Sequence, residues 1–161
     1  TTQYNASPSN TIVNAAINNP GVAFYNYRGY IGMSGWPATM SAMFNSSRLF
    51  HAVFITCDTG SFDEYEVSTT EAVIRYGTSA SLGGAITAIG MATSATHTSI
   101  NNCLDMGIFH GIYNKQMRDM GSSLLHSKLY LYSVYGVSNP SAYQNFTGYC
   151  NLMGAPQQRC M

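Results

Sequence analysis

The chain has 161 residues, which is enough for one domain with its own hydrophobic core. Only 9% of the residues are charged, and seven positive charges balance seven negative ones. Such a surface has no basic stripe for phosphate contacts, so we expect no nucleic-acid partner. No apolar run approaches the ~18 residues that span a bilayer, so we also expect no membrane span.

The first half of the chain predicts short alternating elements. Residues 1–11 are polar and are predicted to form a tail, while residues 11–19 predict a short helix that ends before Pro20. Two β-rich runs follow, at residues 22–27 and 52–56, on either side of a glycine-rich loop. The second run is uniformly apolar, which is typical of a buried parallel strand.

The second half predicts a helix over residues 68–76, with a Ser/Thr start and a glutamate in its first turn. A third buried strand is predicted at 85–91 and a helix over 101–125, broken near Gly121. Residues 128–135 are ambiguous between helix and strand. The chain from Gly136 is predicted to be rich in turns.

This alternation predicts an α/β fold with a parallel sheet. In such sheets, ligands bind where loops leave the carboxyl ends of the strands. Tyr30 follows the first predicted strand and Cys57 follows the second. We therefore expect these two residues at the same edge of the sheet.

Several segments resemble the cysteine peptidases of the gingipain type. Residues 21–29 (GVAFYNYRG) are similar to the stretch before the catalytic His-Gly pair of that family, and residues 53–62 (VFITCDTGSF) resemble its nucleophile segment. Further similar segments are Trp36, Glu71-Ala72, 84–90 (GAITAIG), 96–98 (THT), 101–105 (NNCLD) and 151–156 (NLMGAP).

The resemblance covers residues 12–158, leaving 159–161 as a second short tail. It corresponds to the carboxy-terminal half of the catalytic domain of those peptidases. It implies a caspase-like three-layer α/β sandwich with a mostly parallel central sheet. It also implies a secreted protein, and the best-known members of the family cut after basic residues.

The catalytic positions of the resemblance are only partly kept. Cys57 stands at the nucleophile position, but Tyr30 stands at the histidine and Ile31 at the glycine that helps to hold the oxyanion. A phenol loses its proton only near pH 10 in water, so it is a poor base at neutral pH. We therefore expect an inactive, extracellular domain that serves as a structural or self-assembling module, able to form filaments. The alternative is an active secreted cysteine endopeptidase that cuts peptides with Cys57.

The four histidines offer little help to Cys57. His51 begins the same strand, roughly 20 Å away, and is excluded as its base. His97 follows the third predicted strand and can reach the same edge, although the resemblance gives it no catalytic role. His110 and His126 lie in predicted helices and are expected to be structural or solvated.

An acidic group surrounds the predicted nucleophile turn: Asp58, Asp63, Glu64 and Glu66. It can bind a cation such as calcium or a basic side chain of a substrate, but a solvated acidic loop is the favoured interpretation. We expect no other cofactor.

The four cysteines, Cys57, Cys103, Cys150 and Cys160, contain no C-x-x-C pair, so no structural zinc site is expected. Their pairing stays open, with a Cys150–Cys160 bridge as one possibility.

Low charge, cysteines and three glycosylation sequons, at Asn5, Asn45 and Asn145, indicate an extracellular or cell-surface protein. Zero net charge leaves little repulsion between copies. The expected partners are therefore further copies of the chain or the remainder of a longer precursor.

Overall fold

The structure, a computed structural model, describes residues 9–33, 40–64 and 66–160. Within these ranges the chain forms five α-helices and four strands, together with two short 3₁₀ turns at Ile31–Met33 and Met40–Ala42. The elements in chain order are α1 Asn10–Asn18, β1 Phe24–Tyr27, β2 Phe50–Phe54, α2 Thr69–Ile74, β3 Ala85–Met91, α3 Thr98–Tyr113, α4 Met120–Tyr135, α5 Pro140–Tyr149 and β4 Cys150–Gly154. Trp36, which the resemblance singled out, lies outside the described residues, as does Asn5.

The four strands form one sheet in the order β1-β2-β3-β4. β1 and β2 are parallel, as are β2 and β3, and β4 runs antiparallel to β3. The sheet is therefore mostly parallel, as predicted. The carboxyl ends of β1, β2 and β3 meet at one edge.

Helices cover both faces of the sheet, and β2 is therefore buried on both sides. Phe50, Ala52 and Phe54 point into one core, where they pack with residues of α1 and α2. Val53 and Ile55 point into the other core, which α3, α4 and α5 close. This alternation follows from the two-residue period of a strand. The result is the three-layer α/β sandwich that the resemblance implies.

Side-chain caps set where the helices begin. Ser68 accepts a hydrogen bond from the backbone N–H of Glu71 at the start of α2, and Ser9 caps α1 in the same way. Asp119 accepts from the N–H of Ser122 at the start of α4. These caps satisfy backbone donors that the first helical turn leaves unpaired.

The end of the chain is more regular than its sequence predicts. Instead of turns, residues after Gly136 form α5 and β4. Asn139 caps α5 through the N–H of Ala142, and Pro140 occupies the first helical turn, where its missing N–H costs nothing. β4 is held by pairing with β3, a contact between distant parts of the chain that local sequence does not reveal.

The ambiguous stretch at 128–135 is the second half of α4. The predicted helix over 101–125 is two helices in the structure. They are α3 and the start of α4, and residues 114–119 separate them. α4 is apolar on both sides, which hides the helical period in the sequence. No helix in the described part of the chain is long and apolar enough to cross a bilayer.

Candidate functional site

Tyr30 and Cys57 lie at the same edge of the sheet, as their positions in the sequence predict. Tyr27 pairs with Phe54 at the ends of β1 and β2, so each of the two residues follows its strand by three positions. The hydroxyl of Thr56 donates to the carbonyl of Gly29 over 2.9 Å and links the two loops. This bond holds the residue before Cys57 beside the residue before Tyr30.

The turn that carries Cys57 is anchored to the end of β3. The N–H of Asp58 donates to the carbonyl of Thr93, and the N–H of Gly60 donates to that of Met91, both over 3.0 Å. A side chain at Gly60 would lie 3.1 Å from the backbone carbon of Gly90, so the close approach favours glycine. Asp58 has a positive φ of 61°, which completes a sharp turn after the strand.

The Sγ of Cys57 contacts the hydroxyl of Thr96, which follows β3 at the same edge, over 2.7 Å. Thr96 in turn accepts a hydrogen bond of 2.9 Å from the side-chain amide of Asn101 in the first turn of α3. Asn101 is buried, with 3% of its surface exposed. The thiol of Cys57 is thus hydrogen-bonded to a hydroxyl that a buried amide contacts.

Arg28 lies beside this group, directly after β1. Its guanidinium donates to Oδ1 of Asn102 through Nε, over 3.1 Å, and through Nη2, over 2.7 Å, and so spans from β1 to α3. Burial lowers the pKa of Arg28, while the charges of Asp105 and Cys57 act in the opposite direction.

Asp105 lies one turn beyond Asn101 on α3 and is a second charged group near Arg28. Its Oδ2 accepts from the side-chain amide of Asn26, over 3.1 Å, while Oδ1 is buried without a partner among the described residues. Burial raises the pKa of Asp105, against the opposing effects of Asn26 and Arg28.

Tyr30 and Ile31 are both turned toward solvent, with 75% and 50% of their surfaces exposed. The backbone N–H of Tyr30 donates to the phenol of Tyr27. Ile31 begins the short 3₁₀ turn that follows.

All four histidines make structural hydrogen bonds. His51 is buried and bonds the hydroxyl of Thr87 and the carbonyl of Arg159, and burial lowers its pKa. His97 caps α3, and its Nδ1 accepts from the N–H of Ser99. His110 and His126 bond each other across α3 and α4, over 2.9 Å.

The acidic residues near the turn do not converge. Asp58 is buried and accepts a hydrogen bond from Ser61, whereas Asp63, Glu64 and Glu66 are exposed. Within the described residues, no group of three or more His, Cys, Asp or Glu side chains is arranged to hold a metal ion. All four cysteines are free thiols, so the possible Cys150–Cys160 bridge is not formed.

The sequence did not single out Arg28, Thr96 or Asn101 for a role at Cys57. The available signal was weak: residues 96–98 and 101–105 resemble family segments, and Thr96 follows a strand of the parallel sheet. Nothing in the order of the residues shows that the side chain of Thr96 meets Cys57 or that Asn101 bonds to Thr96.

At this edge a cysteine lies in a tight turn after one parallel strand, and a loop follows the neighbouring strand. This geometry is accompanied by a family match over the whole sequence. Residues 1–161 match the family model of peptidase family C25. The chain belongs to peptidase family C25. Among curated proteins, none is significantly similar to it.

Two solved structures share the fold of this C25 domain. The Arg-specific cysteine proteinase gingipain R (RgpB) superposes with a TM-score of 0.81 at 14% identity. The complex of Porphyromonas gingivalis RgpB pro- and mature domains superposes with a TM-score of 0.79 at 16% identity. Each match covers 96% of this chain and 37% of the other, so the chain spans little more than a third of their length.

Proposed function

We propose that this C25 domain is inactive as a peptidase and serves as an extracellular binding and assembly module. One observation carries the first part: Cys57 is hydrogen-bonded to the hydroxyl of Thr96, while the position of the family histidine holds the exposed phenol of Tyr30. Peptide cleavage needs a group that takes the thiol proton and returns it to the leaving amine. A threonine hydroxyl does neither at neutral pH.

The position beside Tyr30 supports the same proposal. Ile31 stands where the family has a glycine whose N–H helps to hold the oxyanion. A branched side chain there restricts how closely a carbonyl oxygen approaches the backbone, and loss of one oxyanion donor typically costs ~10²-fold or more in rate. The position of the family's base and the position of its oxyanion glycine therefore both carry a different residue in this chain.

The double variant Tyr30→His with Ile31→Gly tests this proposal. We expect no turnover of peptides with basic residues by the wild type and thiol-dependent cleavage by the double variant. Adding Cys57→Ala to the double variant controls for contaminating peptidases and should abolish cleavage. Turnover by the wild type would contradict the proposal and establish the alternative, an active endopeptidase that uses Cys57.

The outward side of α4 supports the assembly part. Leu125, Leu129 and Tyr132 follow one another at helical spacing and expose 60%, 56% and 52% of their surfaces. The opposite side of α4 is buried in the core through Leu124 and Leu131. A helix that is apolar on both sides is typical of one covered on both sides. Since the chain has no net charge to keep copies apart, a second copy is the proposed partner.

A second surface region, lined by both apolar and polar residues, lies elsewhere on the molecule. A groove of about 370 Å³ is lined by Met43, Phe44, Tyr76 and Leu82, among others. If the α4 side of one copy contacts this groove of the next, the contact does not close and a filament grows, whereas contact between two α4 sides gives a closed dimer. Sedimentation of the purified chain distinguishes these outcomes, and a strictly monomeric chain at high concentration contradicts both.

A further inference from the structure

The hydrogen bonds around Thr96 determine where its hydroxyl proton goes. A hydroxyl has one proton to donate and two lone pairs to accept with. One lone pair accepts the N–H of Asn101. Among the described residues, the remaining hydrogen-bond partner of this hydroxyl is the sulfur of Cys57. When Cys57 is ionised, the hydroxyl must donate to the thiolate.

The side chain of Asn101 is buried at the start of α3, where its Nδ2 donates to Thr96 and its Oδ1 has no partner among the described residues. The amide holds the oxygen of Thr96 in place and leaves the hydroxyl proton to the sulfur. Hydrogen bonds to a charged acceptor are the stronger kind, so the hydroxyl supports the sulfur when it attacks as a thiolate.

Arg28 adds a positive charge to the same edge of the sheet. Its two bonds to Asn102 hold the guanidinium between β1 and α3. A guanidinium stays protonated at any ordinary pH, so Arg28 stabilises a negative charge but transfers no proton.

We propose that Thr96, oriented by Asn101, is a positioning residue that together with Arg28 keeps Cys57 reactive toward electrophiles although the family histidine is absent. The inference rests on the proposed function, because it assumes that no base acts at this site. In a cysteine–histidine pair, the imidazolium both stabilises the thiolate and protonates the leaving group. Thr96 and Arg28 can stabilise a thiolate, but neither of them can protonate a leaving group.

The substrates of such a thiol are acyl groups whose leaving group departs without a proton. With an activated aryl ester, the electron pair of the thiolate attacks the carbonyl carbon, and a C–S bond forms. The C–O bond to the phenolate breaks, and the phenolate leaves with its electron pair. A peptide amine cannot leave in this way, since it must first be protonated. Cys57 therefore becomes acylated once and is not turned over.

The test uses the wild-type chain and two reagents, p-nitrophenyl acetate and iodoacetamide. We expect the wild type to release one equivalent of nitrophenolate per chain and to carry the acetyl group on Cys57, as read by mass spectrometry. Thr96→Val removes the hydroxyl at nearly constant volume. It should slow acylation and alkylation at pH 7 by about tenfold.

Thr96→Ser restores the hydroxyl and should bring both rates back to within about twofold of the wild type. Cys57→Ala measures the background from Cys103, Cys150 and Cys160, which are buried. Thermal melting checks that each variant is folded, and Thr96→Ala replaces the valine variant if that one does not fold. Unchanged rates in the hydroxyl-free variant would overturn the inference. Multiple turnover of a peptide by the wild type would overturn the proposed function instead, whatever the effect at Thr96.

Discussion

Asn45 is fully buried between the start of β2 and the turn before β3. Its Nδ2 donates to the carbonyls of Arg48 and Gly84, over 2.9 and 2.8 Å, and its Oδ1 accepts from the N–H of Gly84 over 2.8 Å. The sequence presents Asn45 as a glycosylation sequon. Its burial excludes a glycan in the folded chain, because both hydrogens of the amide are already in use.

We expect Asn45→Asp to destabilise the fold by about 2–4 kcal/mol, because a carboxylate would face two carbonyl oxygens in a buried position. Urea unfolding measures this difference. Asn145→Asp, a change on the exposed side of α5, is the matched control and should alter the free energy of unfolding by less than about 0.5 kcal/mol. A similar small effect at Asn45 would contradict the buried network.

The site itself was partly predictable at the level of single residues. Cys57 and Tyr30 were placed at one edge of the sheet because the ends of parallel strands meet there. Thr96, Asn101 and Arg28 could not be assigned, since the contacts of Thr96 with Cys57, of Asn101 with Thr96 and of Arg28 with Asn102 depend on how α3 docks on the sheet.

Among the elements, α3 and α4 approach each other closely at Gly107. A Cβ atom at Gly107 would lie 2.8 Å from Cα of Ser127 and 3.1 Å from Cβ of Tyr130. Gly107→Ala should therefore cost about 1–3 kcal/mol, because the helices must separate. The matched control is Gly148→Ala in α5, where nothing lies within 4 Å. It should be neutral or stabilise by up to about 1 kcal/mol, since alanine is the better helix former.

Denaturant unfolding of both glycine variants measures the two effects. Equal changes in the two variants would show that α3 and α4 are not in close contact at Gly107.

The same two helices are joined by the bond between His110 Nδ1 and His126 Nε2, with Tyr130 packed against both rings. The pKa of His126 lies below its ordinary value of 6.5, first because of burial and then because of the charges of His110 and Lys115. His126 therefore takes up a proton at a higher pH in the unfolded chain than in the folded chain. The contribution of His126 to stability is complete above about pH 6.5 and is lost as the pH falls through the lowered pKa.

We expect the wild type to lose more unfolding free energy than His126→Gln between pH 8 and pH 5, as followed by urea unfolding at a series of pH values. The comparison between the two chains cancels the contributions of His51 and Asp105, which they share. Parallel pH profiles would contradict the effect.

For the molecule as a whole, the assembly proposal predicts which surface change matters. Leu129→Lys places a charge in the centre of the exposed side of α4 and should shift the chain toward monomer by at least about tenfold in dissociation constant. Sedimentation velocity measures this shift. Val67→Lys, at another exposed apolar residue, is the control and should leave association unchanged.

Leu82→Lys distinguishes the two modes of assembly. It should block filament growth if the groove is used and have no effect on a closed dimer. Loss of association in Val67→Lys as well would show that any added charge disrupts it, which contradicts a specific α4 contact.

The sequence by itself determined the α/β class, the three parallel strands, the positions of Cys57, Tyr30 and Ile31, and the near absence of charge. These features depend on local apolar patterns and on composition, which are visible along the chain. The tertiary structure decided the antiparallel β4, the helical state of residues 128–135, and the free state of the four thiols. It also decided the contacts of Cys57 with Thr96 and of Thr96 with Asn101, because these groups meet only when α3 packs on the end of the sheet.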